Sequence, residues 1–232
     1  MDFEQILALK NVDAFYDHTE ILHGISLNVE KGGNCGLVGR IGAGKTTTLK
    51  SILGLLRTSG SIMFKGKEIT KLPTFKIINM GIGYVPEGRK LYGELTVNEN
   101  LEIAREGSSS EEELSKIYDL FPELSDKKSN KAKFLSGGER QMLAVARGLA
   151  GIPELLLMDE PYEGLAVPVI RRLNEAFQEM KKSGVTLLVA EASLKNLELL
   201  ADRILVIDRG RIIFSGEVEE VKQFISSHNL IL

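Results

Sequence analysis

Gly39-Arg40-Ile41-Gly42-Ala43-Gly44-Lys45-Thr46 fills every fixed position of the pattern G-x-x-x-x-G-K-[ST]. The run before it, Asn34-Cys35-Gly36-Leu37-Val38, is short and mostly apolar and reads as a buried strand. After it, Leu49, Ile52 and Leu53 recur at i, i+3 and i+4 and predict a helix. A strand, a glycine-rich turn and a helix are the setting in which this pattern holds phosphate. Glycines let successive backbone N–H groups turn inward around an anion, and the helix N-terminus adds positive potential and unpaired donors. Lys45 would reach the β- and γ-phosphates, and the Thr46 hydroxyl would ligate Mg²⁺. The plainer alternative is a glycine-rich turn before an ordinary helix.

Downstream, Glu154-Leu155-Leu156-Leu157-Met158-Asp159-Glu160-Pro161 is an apolar run that ends in two carboxylates. A continuous apolar run suits a buried parallel strand, and ligand sites gather at the carboxyl ends of such strands. An acidic pair there fits metal binding and water activation, although two solvated charges at a strand end would look the same. Upstream, 6–9 and 25–29 read as strands. Between them Phe15-Tyr16-Asp17 could offer a ring to a nucleobase or simply pack in a hairpin. Residues 60–70 read as a hairpin turning at Lys65-Gly66-Lys67, and 81–87 as a strand stopped by Pro86.

From about 88 to 150 the pattern turns helical. Ser110 and Glu113 form a capping box, with Leu114, Ile117, Tyr118 and Phe121 on one face. Leu135-Ser136-Gly137-Gly138-Glu139 opens another helix; alone, it could be a flexible loop with an N-cap. Strands follow at 186–190 and 203–207 with a helix expected between them at about 193–201. An amphipathic tail helix is expected at 217–229.

The chain has 232 residues, 43% of them apolar and 26% charged, enough for one large domain or a core with a subdomain. A net charge of −3 argues against a dedicated nucleic-acid binder. The single cysteine, Cys35, reads as a packed core thiol and suits a reducing compartment. No signal peptide is visible at 1–5, and no apolar run approaches the length that spans a bilayer. Residues 107–113 form a Gly/Ser/Glu-rich patch. His18, His23 and His228 lack metal-ligand spacing.

Together, the 39–46 turn, the 135–139 signature and the 155–160 strand resemble, in order and spacing, the ATP-binding cassette ATPases of membrane transporters. The resemblance spans nearly the whole chain. It implies an α/β fold: a RecA-like P-loop NTPase core with a β-rich edge subdomain (1–87 and 151–232) and an inserted helical subdomain (88–150). It implies ATP and Mg²⁺ as ligands, with the whole turn (Gly39, Arg40, Ile41, Gly42, Ala43, Gly44, Lys45, Thr46) and Thr47 around the phosphates. By position, Tyr16 would stack on adenine. Asp159 would hold Mg²⁺ and Glu160 would orient or deprotonate the attacking water. Ser136, Gly137 and Gly138 would meet the γ-phosphate bound to a second subunit. Glu87 would stand near the metal and, with the segment after it, at the docking surface for a permease. The expected partners are a second ATP-binding subunit, transmembrane permeases and, indirectly, a solute-binding protein, at the cytoplasmic face of the membrane.

Val85-Pro86-Glu87-Gly88-Arg89, with Glu where most relatives have Gln, and Gly164-Leu165-Ala166, without the usual Asp, make the chain similar to ATPase subunits of branched-chain amino acid importers. The position of the family's switch residue, often His and in this branch often Gln, falls at Glu191. A carboxylate there would be repelled by the γ-phosphate unless protonated or balanced by Mg²⁺. Either turnover is slow, or the correspondence is displaced by one residue, or the side chain points away. Two rivals remain at this stage: a soluble cassette ATPase of DNA repair or translation, and a nucleotide switch that scarcely hydrolyses.

Overall fold

The computed structural model describes residues 4–105, 110–228 and 230. In chain order its first half holds β1 (Gln5–Tyr16), β2 (Thr19–Glu30), β3 (Asn34–Val38), α1 (Lys45–Ile52), β4 (Arg57–Phe64), β5 (Lys67–Glu68), α2 (Thr74–Asn79) and β6 (Ile82–Val85). Then come α3 (Val97–Arg105), α4 (Glu111–Leu120), α5 (Pro122–Ser125), α6 (Gly137–Leu149), β7 (Leu155–Asp159) and α7 (Val167–Lys182). The last elements are β8 (Thr186–Glu191), β9 (Arg203–Asp208), β10 (Arg211–Gly216) and α8 (Val218–Ser227).

The strands divide between two sheets. One is antiparallel in the order β2-β1-β4-β5; the other runs β10-β9-β3-β8-β7-β6 and is parallel except for its edge strand β10. Every residue of β3, β7 and β8 is buried, as a parallel sheet covered on both faces requires. Side chains of a strand alternate faces, and here the alternation sorts the core in two. Leu155, Leu157, Leu188, Ala190 and Leu37 pack with Leu49 and Ile52 of α1 and with the antiparallel sheet. Leu156, Met158, Leu187 and Val189 pack on the other face, with Leu143 and Ala146 of α6 and with Leu173 and Phe177 of α7. That second core continues without a break into Leu101, Leu114 and Phe121, so residues 88–150 share packing with the sheet. Helix α6 approaches closely because Gly148 lies beside Val85 and Leu156, where a Cβ would meet side-chain carbons at 2.7 and 3.0 Å.

The expected strands at 6–9 and 25–29 are the beginning of one and the end of the other of two strands of 12 residues each, joined by a tight turn at Asp17, whose φ is +52°. Ser110 caps α4 as expected: its N–H donates to Glu113, and the Glu113 N–H donates back to the Ser110 hydroxyl at 3.3 Å.

One element was missed and one expectation needs correction. The longest helix, α7, was not anticipated, although Pro168 at its start and Leu173, Ala176, Phe177 and Met180 at i, i+3, i+4 and i+7 signal it. The helix expected at 193–201 is instead a single 3₁₀ turn at Leu194–Asn196. Its buried residues Leu194, Leu197 and Leu200 are spaced by three, the period of the tighter coil, and Leu197 and Leu200 each donate a backbone bond three residues back. The tail helix ends at Ser227; the remainder of its expected span at 229, like residues 107–109 of the Ser-rich patch, lies outside the described residues.

Candidate nucleotide site

The 39–46 turn sits between the C-terminal end of β3 and the first residue of α1. Gly44 has φ of +113°, a conformation that residues with a Cβ rarely take. At Gly39 there is no room for a Cβ: it would lie 2.4 Å from the Ile207 carbonyl oxygen. Arg40 and Ile41 stand out from the turn as exposed residues, while Ala43 and Thr47 are buried beneath it. The Lys45 side chain is buried along the loop. Its ammonium donates to the carbonyls of Gly39 (2.8 Å) and Arg40 (3.2 Å) and pairs with the Glu160 carboxylate at 3.0 Å. A polyphosphate entering this turn would compete with Glu160 for that cation and free the carboxylate.

Strand parity brings β7 to the same spot. Leu155 and Leu157 face α1, so Asp159 does too, and the Thr46 hydroxyl donates to its carboxylate at 3.1 Å. Burial pushes the Asp159 acid up to about 6; the charges of Glu87 and Glu160 add to this, against the Thr46 hydrogen bond and Lys45. Tyr84 closes the other side, its hydroxyl 3.5 Å from Asp159. The two oxygens of Thr46 and Asp159 fit a magnesium ion, since an octahedron with bonds of about 2.1 Å has an edge of about 3 Å. Such an ion keeps waters and phosphate oxygens for the rest of its shell.

Glu160 follows with φ of +49°, a left-handed backbone at a residue that is not glycine. Such conformations cost on the order of 1–3 kcal/mol and persist only when their surroundings enforce them. Here the Glu160 N–H donates to the Ala190 carbonyl (2.9 Å), and its side chain accepts from the Ala192 N–H (3.2 Å).

Glu191 does not face this cluster. Alternation along β8 sends it to the opposite side of the sheet from α1, with Leu187 and Val189. Only 2% exposed, its carboxylate accepts from the Tyr162 N–H at 3.1 Å and from the Asn196 side-chain amide at 2.9 Å. Burial raises this acid to about 7, with the Glu160 charge contributing, against hydrogen bonds from Asn196 and Tyr162. Of the three alternatives for this position, the geometry favours the third: the side chain points away. The neighbour that meets Glu160 is Ala192, and the signal that separates the two is the period of two along the strand.

Tyr16 ends β1 with 40% of its surface exposed, its hydroxyl 3.4 Å from the Lys50 ammonium on α1. Its ring is thus held near the helix that follows the phosphate turn. Glu87 is exposed just past β6 and acts on Asp159 through its charge. Ser136 is the exposed N-cap of α6, exchanging bonds with Glu139 (Glu139 N–H to its hydroxyl, 3.2 Å; its own N–H to the carboxylate, 2.9 Å). Gly137 and Gly138 form the first turn of that helix, and Gly138 lies against Val169 of α7. Arg89 ties the region together, donating to Gln141 of α6 (3.0 Å) and to the Glu163 carbonyl (3.5 Å).

A parallel sheet with a lysine-bearing glycine turn after one strand and an aspartate at the end of a strand in the same sheet defines a P-loop nucleoside triphosphatase. The ABC transporter family model matches residues 22–163, and the chain belongs to that family, as an ATP-binding transporter subunit and an ATPase. It is 37% identical to the high-affinity branched-chain amino acid transport ATP-binding protein BraG of Pseudomonas aeruginosa, covering 90% of this chain and 91% of that one. It is 31% identical to the lipopolysaccharide export system ATP-binding protein LptB of Haemophilus influenzae, over 93% and 92% of the two chains. A crystal structure of the ADP conformation of an ATP-binding cassette of an ABC transporter superposes with a TM-score of 0.85 at 29% identity, covering 97% of this chain and 96% of that one. The RecA-like cassette expected from the sequence is therefore the fold observed. No described helix is long and apolar enough to cross a membrane.

Proposed function

We propose that this chain powers an importer of branched-chain amino acids, working at the cytoplasmic face of the membrane on permease subunits and paired with a second ATP-binding subunit. Support for the solute comes from the 37% identity with BraG, set against 31% with LptB. The observation that carries the mechanism is the convergence of Lys45, Thr46, Asp159 and Glu160 at the ends of β3 and β7.

In this reading Tyr16 stacks on adenine, and the backbone from Gly39 to Thr47 wraps the phosphates, with Lys45 on the β- and γ-phosphates. Thr46 and Asp159 hold Mg²⁺, with Glu87 nearby; the bound metal would neutralise charge on the phosphate oxygens. Glu160, released from Lys45, orients the attacking water and takes its proton as the bond from the γ-phosphorus to ADP breaks. Catalysis rests on positioning and charge neutralisation. Ser136, Gly137 and Gly138 complete the site on a second subunit's nucleotide, so that ATP joins two cassettes and hydrolysis parts them. The rival switch that scarcely hydrolyses loses its motive once Glu191 is turned to the far face.

The permease seat in this reading is an apolar cleft beside α2. A cleft of about 760 Å³ lies between α2 and the C-terminal end of α3, lined by Lys65, Phe75, Ile78, Ile103, Ile152 and Glu154. Phe75, Ile103 and Ile152 are each at least half exposed, as apolar groups awaiting a partner would be.

The test is uptake of labelled leucine by vesicles reconstituted with the permease subunits that co-purify with this chain, with wild-type chain or Glu160→Gln supplied. Wild type should support ATP-dependent uptake; the variant should bind ATP, dimerise and support none. Uptake of another solute instead of leucine would overturn the amino-acid assignment. Wild-type turnover by Glu160→Gln would overturn its catalytic role.

A further inference from the structure

The two carboxylate oxygens of the buried Asp159 are held by different elements. The Thr46 hydroxyl of α1 donates to Oδ1 at 3.1 Å, and the Tyr84 hydroxyl of β6 reaches Oδ2 at 3.5 Å. A single bond would leave the carboxylate free to pivot, because the last torsion of an aspartate is broad and roughly twofold. Bonds to both oxygens, from two sides, fix its plane. That plane matters for the proposed ligand, since Mg²⁺ demands a nearly ideal octahedron. A phenol titrates near pH 10, so Tyr84 enters this cluster of carboxylates as a neutral donor.

Strand geometry puts the phenol there. β6 pairs with β7 in parallel, with Tyr84 opposite Leu157, which faces α1. Tyr84 shares that face, half-buried against the same core, two residues after the buried Ile82. Asp159 lies two residues beyond Leu157 on the same face, so a side chain must be long and lean along the strand to meet it. A phenylalanine would fill the same space and lack only the hydroxyl. Packing alone therefore does not call for tyrosine here.

We infer that Tyr84 is a positioning residue for the metal: its hydroxyl holds one oxygen of Asp159 and so aims the other, beside Thr46, at Mg²⁺. The inference rests on the proposed role of Asp159 as a magnesium ligand. Hydrogen-bond partners of a ligating carboxylate typically contribute about 10- to 100-fold to metal affinity. Grip on the phosphates belongs to the 39–47 segment. Loss of the Tyr84 hydroxyl should therefore fall on the metal and spare metal-free nucleotide.

The test is Mn²⁺ binding to the ADP complex of the purified full chain, followed by electron paramagnetic resonance, with ADP affinity measured separately in EDTA. Tyr84→Phe should weaken Mn²⁺ binding about 10-fold and leave ADP affinity in EDTA within about twofold. In steady-state ATP hydrolysis, the Mg²⁺ concentration for half-maximal rate should rise by a similar factor, with kcat at saturating Mg²⁺ within a few-fold of wild type. Unchanged Mn²⁺ affinity overturns the inference. So does a loss of ADP affinity in EDTA as large as the loss of Mn²⁺ affinity, which would mark a packing role. Should the phenylalanine protein fold poorly, Tyr84→Leu takes its place, and wild-type Mn²⁺ affinity in it overturns the inference equally. Asp159→Asn in the same titration keeps the two readings apart. Wild-type Mn²⁺ affinity there removes the metal role of Asp159 and this inference with it, whereas a large loss there beside an unaffected Tyr84→Phe removes this inference alone.

Discussion

Asp159 and Glu191 are buried acids a few residues apart in space, one on each face of the sheet, and both bind their protons more tightly than in the unfolded chain. Between pH about 4.5 and about 7 the folded state therefore retains a proton on Glu191 that the unfolded chain has released. The sign follows: this contribution is fully present below the unfolded value and is lost as pH rises through the folded one. The melting temperature of the nucleotide-free protein should fall more between pH 5 and pH 8 for wild type than for Glu191→Gln, which stays neutral throughout. Equal slopes in the two melting series would contradict the assignment. Much at this scale was legible beforehand. Lys45, Thr46, Asp159 and Glu160 were read from a motif and a strand end, because each lies within a few residues of a backbone feature that the sequence declares. For Glu191 three alternatives stayed open, because one residue along a strand reverses its face and the identity of that residue does not carry its direction.

Among the elements, α6 is the one whose start does two jobs. Ser136 caps it, satisfying the Glu139 N–H, while its exposed hydroxyl and the first turn's free N–H groups remain available to an anion. Replacing Ser136 with Ala should cost about 1 kcal/mol, or roughly 2–4 °C in melting temperature for a chain of this size. In a Glu160→Gln background it should also weaken ATP-driven dimerisation beyond what that small loss of stability explains, as read by size-exclusion chromatography at several protein concentrations. A Ser136→Ala dimer as tight as its parent would remove the serine from the interface. The capped helix α4 was visible in sequence because a capping box is local chemistry; the second box, Ser136 with Glu139 at the start of α6, is seen in the structure. The turn at 194–196 was not: its apolar spacing of three fits a helix almost as well, and only the close packing of Leu194, Leu197 and Leu200 under the sheet decides for the tighter coil.

At the scale of the molecule, the sheet works as a partition. On its α1 side stand Lys45, Thr46 and Asp159 of the candidate site, and its other face, with α6 and α7, carries the packing that continues into the helical segment. Phe75→Asp should leave Mg-ATP hydrolysis by the isolated chain within about twofold of wild type and reduce co-purification with the permease at least tenfold; full co-purification would place the docking surface elsewhere. The division into two faces follows from hydrophobic alternation and was implicit in the strands, whereas the continuity of the core from β7 to Phe121 is a long-range fact that no local pattern announces. The lone thiol of the chain lies inside this partition. Cys35 is buried in β3, and burial pushes its thiol pKa up to about 12, so at neutral pH it presents no reactive thiolate to reagents in solution. The protein is in effect chemically silent toward maleimides and disulfide cross-linkers while folded. A cysteine installed at any surface position would be the sole address for a spin label or a dye, and distances between paired cassettes could be followed without deleting a native residue.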